Sequence, residues 1–272
     1  TRYPLVTGVQ TCALPISLGQ ALRERSAMSG EDSGGARRQR AAWLAEYLGT
    51  FAIVFAGTGA IIAHGVSKGA VTHPGIAATF GGVVLVAIYA FGKVSGAHFN
   101  PAVTVAFAAA GRFRWSQIPA YVASQCAGAV SASGLLTLLF PAVRNLGATV
   151  PSDGALQSLI YETLLTAFLM LVILQVSVGA KEQGITAGMV IGGTVGLEAM
   201  FAGPICGASM NPARSLGPAL FQGSLDSLWI YCLGPMVGAL LAVPLHRILQ
   251  ATSPASPPAR SCALHFSEPS RS

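Results

Sequence analysis

Asn-Pro-Ala occurs twice in this chain, at 100–102 and 211–213, although there are only three asparagines in all, the third being Asn145. Each copy follows a run of small residues, in "SGAHFNPAVTVAF" from Ser95 and "CGASMNPARSLGP" from Cys206. Each is also preceded by Glu-x-x-x-Thr, in "AEYLGTFAIVF" at 45–55 and "YETLLTAFLML" at 161–171. The spacing from Glu to Asn is 54 residues in one half (46 to 100) and 49 in the other (162 to 211). The chain is therefore a duplication of one long unit, and any fold must accommodate both copies equivalently.

What surrounds the repeat decides the solvent. Only 10% of residues are charged, against about 25% in soluble domains. Six apolar windows, 42–63, 76–92, 117–140, 158–180, 184–203 and 228–249, are long enough to cross about 30 Å of hydrocarbon as helices. Their only charges are Glu46, Glu162, Glu198 and, at the last end, Arg247. Open sheet leaves backbone groups unpaired in lipid, and the alternation of a barrel is absent, so the expected class is all-α membrane protein. Three spans per half is an odd number, so the second half must enter the membrane inverted relative to the first. One Asn-Pro-Ala loop then dips in from each side and the two meet near the midplane. The expected architecture is six transmembrane helices plus two re-entrant half-helices in an inverted repeat, over residues 41–250.

Asn suits a helix N-cap, and Pro suits the first helical position, where its missing N–H is no loss. "PAVTVAFAAAG" and "PARSLGPAL" then form half-spans whose N-terminal ends face one another, each with roughly half a positive charge from the helix dipole. Cations are repelled there, and Asn100 and Asn211 offer amide donors to a neutral, oxygen-bearing solute. A single Asn-Pro is usually a surface turn; two at equivalent points of an inverted repeat are not. Arg214, about one helical turn after Asn211, has Val103 as its counterpart in the first half. An isolated cation at that depth is a pore residue in expectation, adding a second barrier to cations.

On these residues, with both Asn-Pro-Ala boxes, both Glu-x-x-x-Thr openings and "NPARS", the stretch from about 42 to 249 resembles the aquaporin, or major intrinsic protein, family. The resemblance implies a homotetramer with one pore per subunit, passing water or small neutral solutes passively and excluding protons, in the plasma membrane. It implies that Asn100, Pro101, Ala102, Asn211, Pro212 and Ala213 form the pore motifs. Family spacing implies that Phe80, Ala199, Ala208 and Arg214 form a narrow outer filter, and that Glu46 and Glu162 support the re-entrant loops. His98 falls at the cytoplasmic vestibule, either as a titrating group or as a satisfied, static histidine. Strict water channels commonly carry His where this chain has Ala199, which points to a wider, more apolar filter. Ser215, Ala219 and Tyr231 follow the water-type pattern, and the Asp that follows the Arg in glycerol channels is absent. The expectation is a water pore with some passage of small uncharged solutes. The alternatives are a channel mainly for glycerol, urea, ammonia or metalloid acids, and a secondary active transporter, which would want a coupling carboxylate beside a motif.

The basic residues orient the chain. Arg37, Arg38, Arg40, Lys93, Arg112, Arg114, Lys181 and Arg247 lie with both tails on one side, against Lys68, Arg144 and Arg214 on the other, so both termini are expected to be cytoplasmic. The net charge of +6 then reflects topology and lipid headgroups, not nucleic acid. The lipid bilayer and the transported solutes are the expected partners. No metal set, cofactor motif or catalytic constellation is expected, nor a disulfide framework from Cys12, Cys126, Cys206, Cys232 and Cys262. Residues 1–40 and 251–272 read as disordered tails; "TRYPLVTGVQTCALPIS" looks like vector or adapter sequence translated in frame, which would make Met28 the start. Gly188, Gly192, Gly196, Gly234 and Gly238 are expected at close helix contacts. Glu198 has no assigned role.

Overall fold

The structure, a computed structural model, describes residues 18–177, 181–223 and 225–251, with side chains from residue 34 onward except at 181–185. The described residues form eight α-helices and one short 3₁₀ turn: α1 (Leu18–Val66), α2 (Thr72–Ser95), α3 (Pro101–Ala109), the turn Trp115–Gln117, α4 (Ile118–Leu139), α5 (Ala155–Val176), α6 (Lys181–Cys206), α7 (Pro212–Gln222) and α8 (Leu228–Ala251). Six segments are long and apolar enough to cross a membrane: Gly34–Val66, Thr72–Ser95, Trp115–Leu139, Ala155–Val176, Thr186–Cys206 and Leu228–Ala251. Most run a few residues past the apolar windows, because a helical hydrogen-bond ladder does not stop where hydropathy falls. Helix α1 begins inside the stretch expected as a tail over 1–40. Residues 36–46 contain no Gly or Pro and are rich in Ala and Arg, both good helix formers. The expected tails at 1–17 and from Thr252, with Cys12 and Cys262, lie outside the described residues.

Helices α3 and α7 have 9 and 11 residues, about 14 and 16 Å at 1.5 Å per residue, or half a membrane each. Packing follows the repeat. Helix α1 lies against α2 and α4 as α5 lies against α6 and α8; α3 rests on α8 as α7 rests on α4; and α2 crosses α6. The same device recurs at equivalent interfaces. A Cβ on Gly128 would stand 2.3 Å from the Tyr47 carbonyl oxygen, and one on Gly238 would stand 2.1 Å from that of Thr163. At the α2–α6 crossing, a Cβ on Gly192 would stand 2.5 Å from the Gly81 carbonyl oxygen. Each glycine lets two backbones approach where lipid gives no hydrophobic drive to associate. The result is a ring of six helices around two half-helices that meet end to end.

Candidate functional site

The two loops that precede α3 and α7 are built alike. Asn100 and Asn211 have extended backbone, and their Oδ1 atoms accept from the N–H of Ala102 (2.9 Å) and Ala213 (3.0 Å), capping the half-helices. Upstream, Gly96, Ala97 and Phe99 have φ of 88°, 54° and 49°, and Gly207, Ala208 and Met210 have φ of 87°, 41° and 53°. Left-handed backbone at a non-glycine residue is unfavourable by about 1 kcal/mol or more, so something must hold these loops. Glu46 and Glu162 do so. Glu46 accepts from His98 N (2.9 Å), Phe99 N (2.7 Å), Ser95 Oγ (2.7 Å) and Gln125 Nε2 (2.7 Å). Glu162 accepts from Ser209 N and Met210 N, both at 2.7 Å. Each carboxyl takes the N–H groups one and two residues before its asparagine.

The asparagines also lock the two halves together. Asn100 Nδ2 donates to the Met210 carbonyl (2.7 Å), and Asn211 Nδ2 donates to the Phe99 carbonyl (2.9 Å). An amide nitrogen carries two hydrogens, so each keeps one for the space between. A hydroxyl network repeats as well. Thr104 Oγ1 gives its hydrogen to the Asn100 carbonyl (2.9 Å), so the His98 Nδ1 atom 3.2 Å away must be the donor to it. In the other half Ser209 Oγ donates to the Asn211 carbonyl (2.9 Å); Ser215 therefore donates to Ser209, and Thr149 donates to Ser215 (2.8 Å).

A cavity of about 180 Å³ passes this meeting point. Its wall includes Phe80, His98, Asn100, Ala199, Ala208, Asn211 and Arg214, so every residue expected in the filter, the vestibule or at the capping asparagines lies on one passage. Pro101, Ala102, Pro212 and Ala213 start the half-helices and are buried beside it, while Glu46 and Glu162 sit fully buried behind the loops. Between the polar points the wall is apolar, with Val84, Val103, Ile173 and Val195 among its residues. Arg214 is 3% exposed; its Nη1 donates to the Gly147 carbonyl (2.8 Å), and its guanidinium carbon lies 5.0 Å from the Phe80 ring centroid.

The sequence profile described as Major intrinsic protein matches residues 36–246. This chain belongs to the major intrinsic protein family. Similar proteins include Aquaporin NIP1-1 of Zea mays, 45% identical over 211 residues, which are 77% of this chain and 75% of the relative. Aquaporin NIP1-4 of Oryza sativa subsp. japonica is 47% identical over 210 residues, 77% of each chain. Nodulin-26 of Glycine max is 43% identical over 210 residues, 77% of this chain and 78% of its own. The X-ray structure of the aquaglyceroporin from Plasmodium falciparum shares the fold, with a TM-score of 0.69 at 24% identity, covering 76% of this chain and 95% of that one.

Within this family fold, several groups at the site were not assigned from the sequence. Asn145 Oδ1 accepts from Gly147 N (3.1 Å) and Ala148 N (3.2 Å), folding the loop that presents the Gly147 carbonyl to Arg214. All three asparagines of this aquaporin-like chain thus close polar loops around the pore. Gln125, in the middle of α4, bridges Glu46 Oε2 (2.7 Å) and Thr104 Oγ1 (3.0 Å); an amide inside an apolar span was the available signal. His98 is clasped by Phe107, Phe113 and Tyr121 at centroid distances of 4.7, 4.8 and 5.2 Å. Cys206 is fully buried, its sulfur 3.4 Å from Ala208 N, and is not on the cavity wall. Glu198 is buried next to Ala199, the residue expected in the filter, and neither of its carboxyl oxygens has a partner among the described residues.

Proposed function

We infer that this member of the family is a passive channel for water and small uncharged solutes that excludes ions and protons, spanning the plasma membrane as a homotetramer with both termini cytoplasmic and using no cofactor or metal. The observation that carries the reading is the pair of cross-bonded asparagines on the passage, at the opposed N-terminal ends of α3 and α7. Each end contributes roughly half a positive charge, and each asparagine has one amide hydrogen left. A water molecule at that point accepts through its oxygen from both sides. Its lone pairs are then engaged, so it cannot take a proton from the next water in file, and a proton relay is interrupted there. The apolar wall on either side gives few other partners, so a hydrated ion loses more than it regains.

Selection by size falls to the outer group, where Phe80 and Arg214 pack together and Ala199 and Ala208 leave room. Two methyl side chains on the same wall as an aromatic ring favour passage of glycerol- or urea-sized solutes along with water. The role given to Glu46 and Glu162 is support of the loops, and the role given to His98 is that of a fixed wall residue, supported by its hydroxyl partner and aromatic surround. Stopped-flow light scattering on proteoliposomes, comparing water, glycerol and urea with no ion gradient, tests the reading. Flux of water and at least one larger solute, unaffected by dissipating ion gradients, is expected. Flux that requires a gradient would replace it with coupled transport.

A further inference from the structure

A second cavity, of about 720 Å³, opens beside the pore and contains none of the residues discussed for conduction except the aromatic pair behind His98. Its wall carries three guanidiniums, Arg38 from α1 and Arg112 and Arg114 from the connection between α3 and α4, together with Gln39, Gln117 and Tyr121. Among the described residues, no Asp or Glu is on that wall. Three like charges around one hollow repel each other, and an anion bound among them would relieve that repulsion. Parts of the hollow are held in place. Arg112 donates to the Leu174 carbonyl (3.1 Å) and lies 2.7 Å from His246 Nε2, which ties its connection to α5 and α8. Gln39 Nε2 donates to Gln117 Oε1 (2.6 Å), joining α1 to the 3₁₀ turn.

We propose that this hollow is a binding site for a phosphate-bearing anion. Planar guanidiniums match phosphate oxygens two at a time, and a phosphomonoester near neutral pH brings close to two negative charges. The same chemistry is offered by a phosphomonoester lipid headgroup at the basic face of the membrane or by free phosphate. The occupant would sit one aromatic layer from the conducting passage. Phe113 and Tyr121 line the hollow and pack on His98 of the pore wall, and the Tyr121 hydroxyl donates to the Ser95 carbonyl (2.8 Å) at the start of the first re-entrant loop.

The test is thermal unfolding of the purified full chain in neutral micelles at constant ionic strength, titrated separately with inorganic phosphate, short-chain phosphatidic acid and short-chain phosphatidylglycerol. Stabilisation by phosphatidic acid alone assigns the site to a lipid headgroup, and stabilisation by inorganic phosphate as well assigns it to phosphate from either source. The Arg38→Gln/Arg114→Gln variant should weaken the apparent affinity about tenfold or more, the equivalent of one lost charge-assisted contact, and keep wild-type water flux in neutral liposomes. Arg38→Lys, which keeps the charge but loses the fork, should fall between and serves if the double variant does not fold. Equal affinity in the variants, no response to either phosphate probe, or equally tight binding of the phosphodiester phosphatidylglycerol would overturn the proposal.

Discussion

Arg214→Val removes the full positive charge that, among the described residues, stands alone on the wall of the passage, and keeps a side chain of moderate bulk, as at the equivalent Val103. A monovalent cation about 4 Å from a guanidinium meets a repulsion of about 4 kcal/mol at an effective dielectric of about 20. With each 1.4 kcal/mol worth a factor of ten, the substitution should raise cation entry about 10²–10³-fold. The half-helix ends are untouched, so part of the barrier at the asparagines persists and leak should stay well below that of an open ion channel. The change also leaves the Gly147 carbonyl without its 2.8 Å donor and the Phe80 ring without its cation, a loss of about 1–3 kcal/mol in stability. Water flow does not depend on the charge and should change by less than a few-fold. Proteoliposomes read both, with light scattering for water and an entrapped pH dye for proton and ammonium entry. Ion entry at the wild-type level alongside abolished water flow would refute the reasoning and make Arg214 a folding residue.

Four further outcomes follow from the same geometry. Ala199→His refills the outer group and should cut glycerol or urea flux far more than water flux in stopped-flow; an impermeable wild type would remove the premise. Asn145→Ala deletes the acceptor for two loop N–H groups, about 1–2 kcal/mol, and should raise the glycerol-to-water flux ratio by loosening the Gly147 hold on Arg214; an unchanged ratio counts against that role. Glu162→Gln turns one of two loop acceptors into a donor facing a backbone N–H, so a loss of about 2–4 kcal/mol should appear as a lower unfolding temperature together with lost water flux; stability without flux would point to a direct part in conduction. Mercurials should inhibit the wild type weakly, because Cys206 is fully buried, and Ala208→Cys strongly, with Cys126→Ser unchanged; full block that survives Cys206→Ser would contradict the loop's placement.

How far the sequence reached is clearest at the three asparagines. Asn100 and Asn211 announced their half-helices because capping and the N1 preference for proline are local, settled within a few residues of the chain. The six spans and the inverted repeat were equally legible, since hydropathy and an odd span count need no knowledge of partners. Loop support by Glu46 and Glu162 rested on resemblance, and tertiary structure supplied its terms: two N–H groups for each carboxyl, plus Ser95 and Gln125 in the first half only. Asn145 carried no signal. Its loop holds Arg214 through a backbone carbonyl 67 residues away in sequence, and every residue has a carbonyl, so nothing in the letters marks Gly147. The basic hollow is similar, because Arg38 and Arg114 share a wall only once α1 and the α3–α4 connection are packed. Sequence therefore determined the solvent, the elements and where each half-helix begins, which short-range physics decides; which side chains and carbonyls meet across the ring belongs to the packed structure alone.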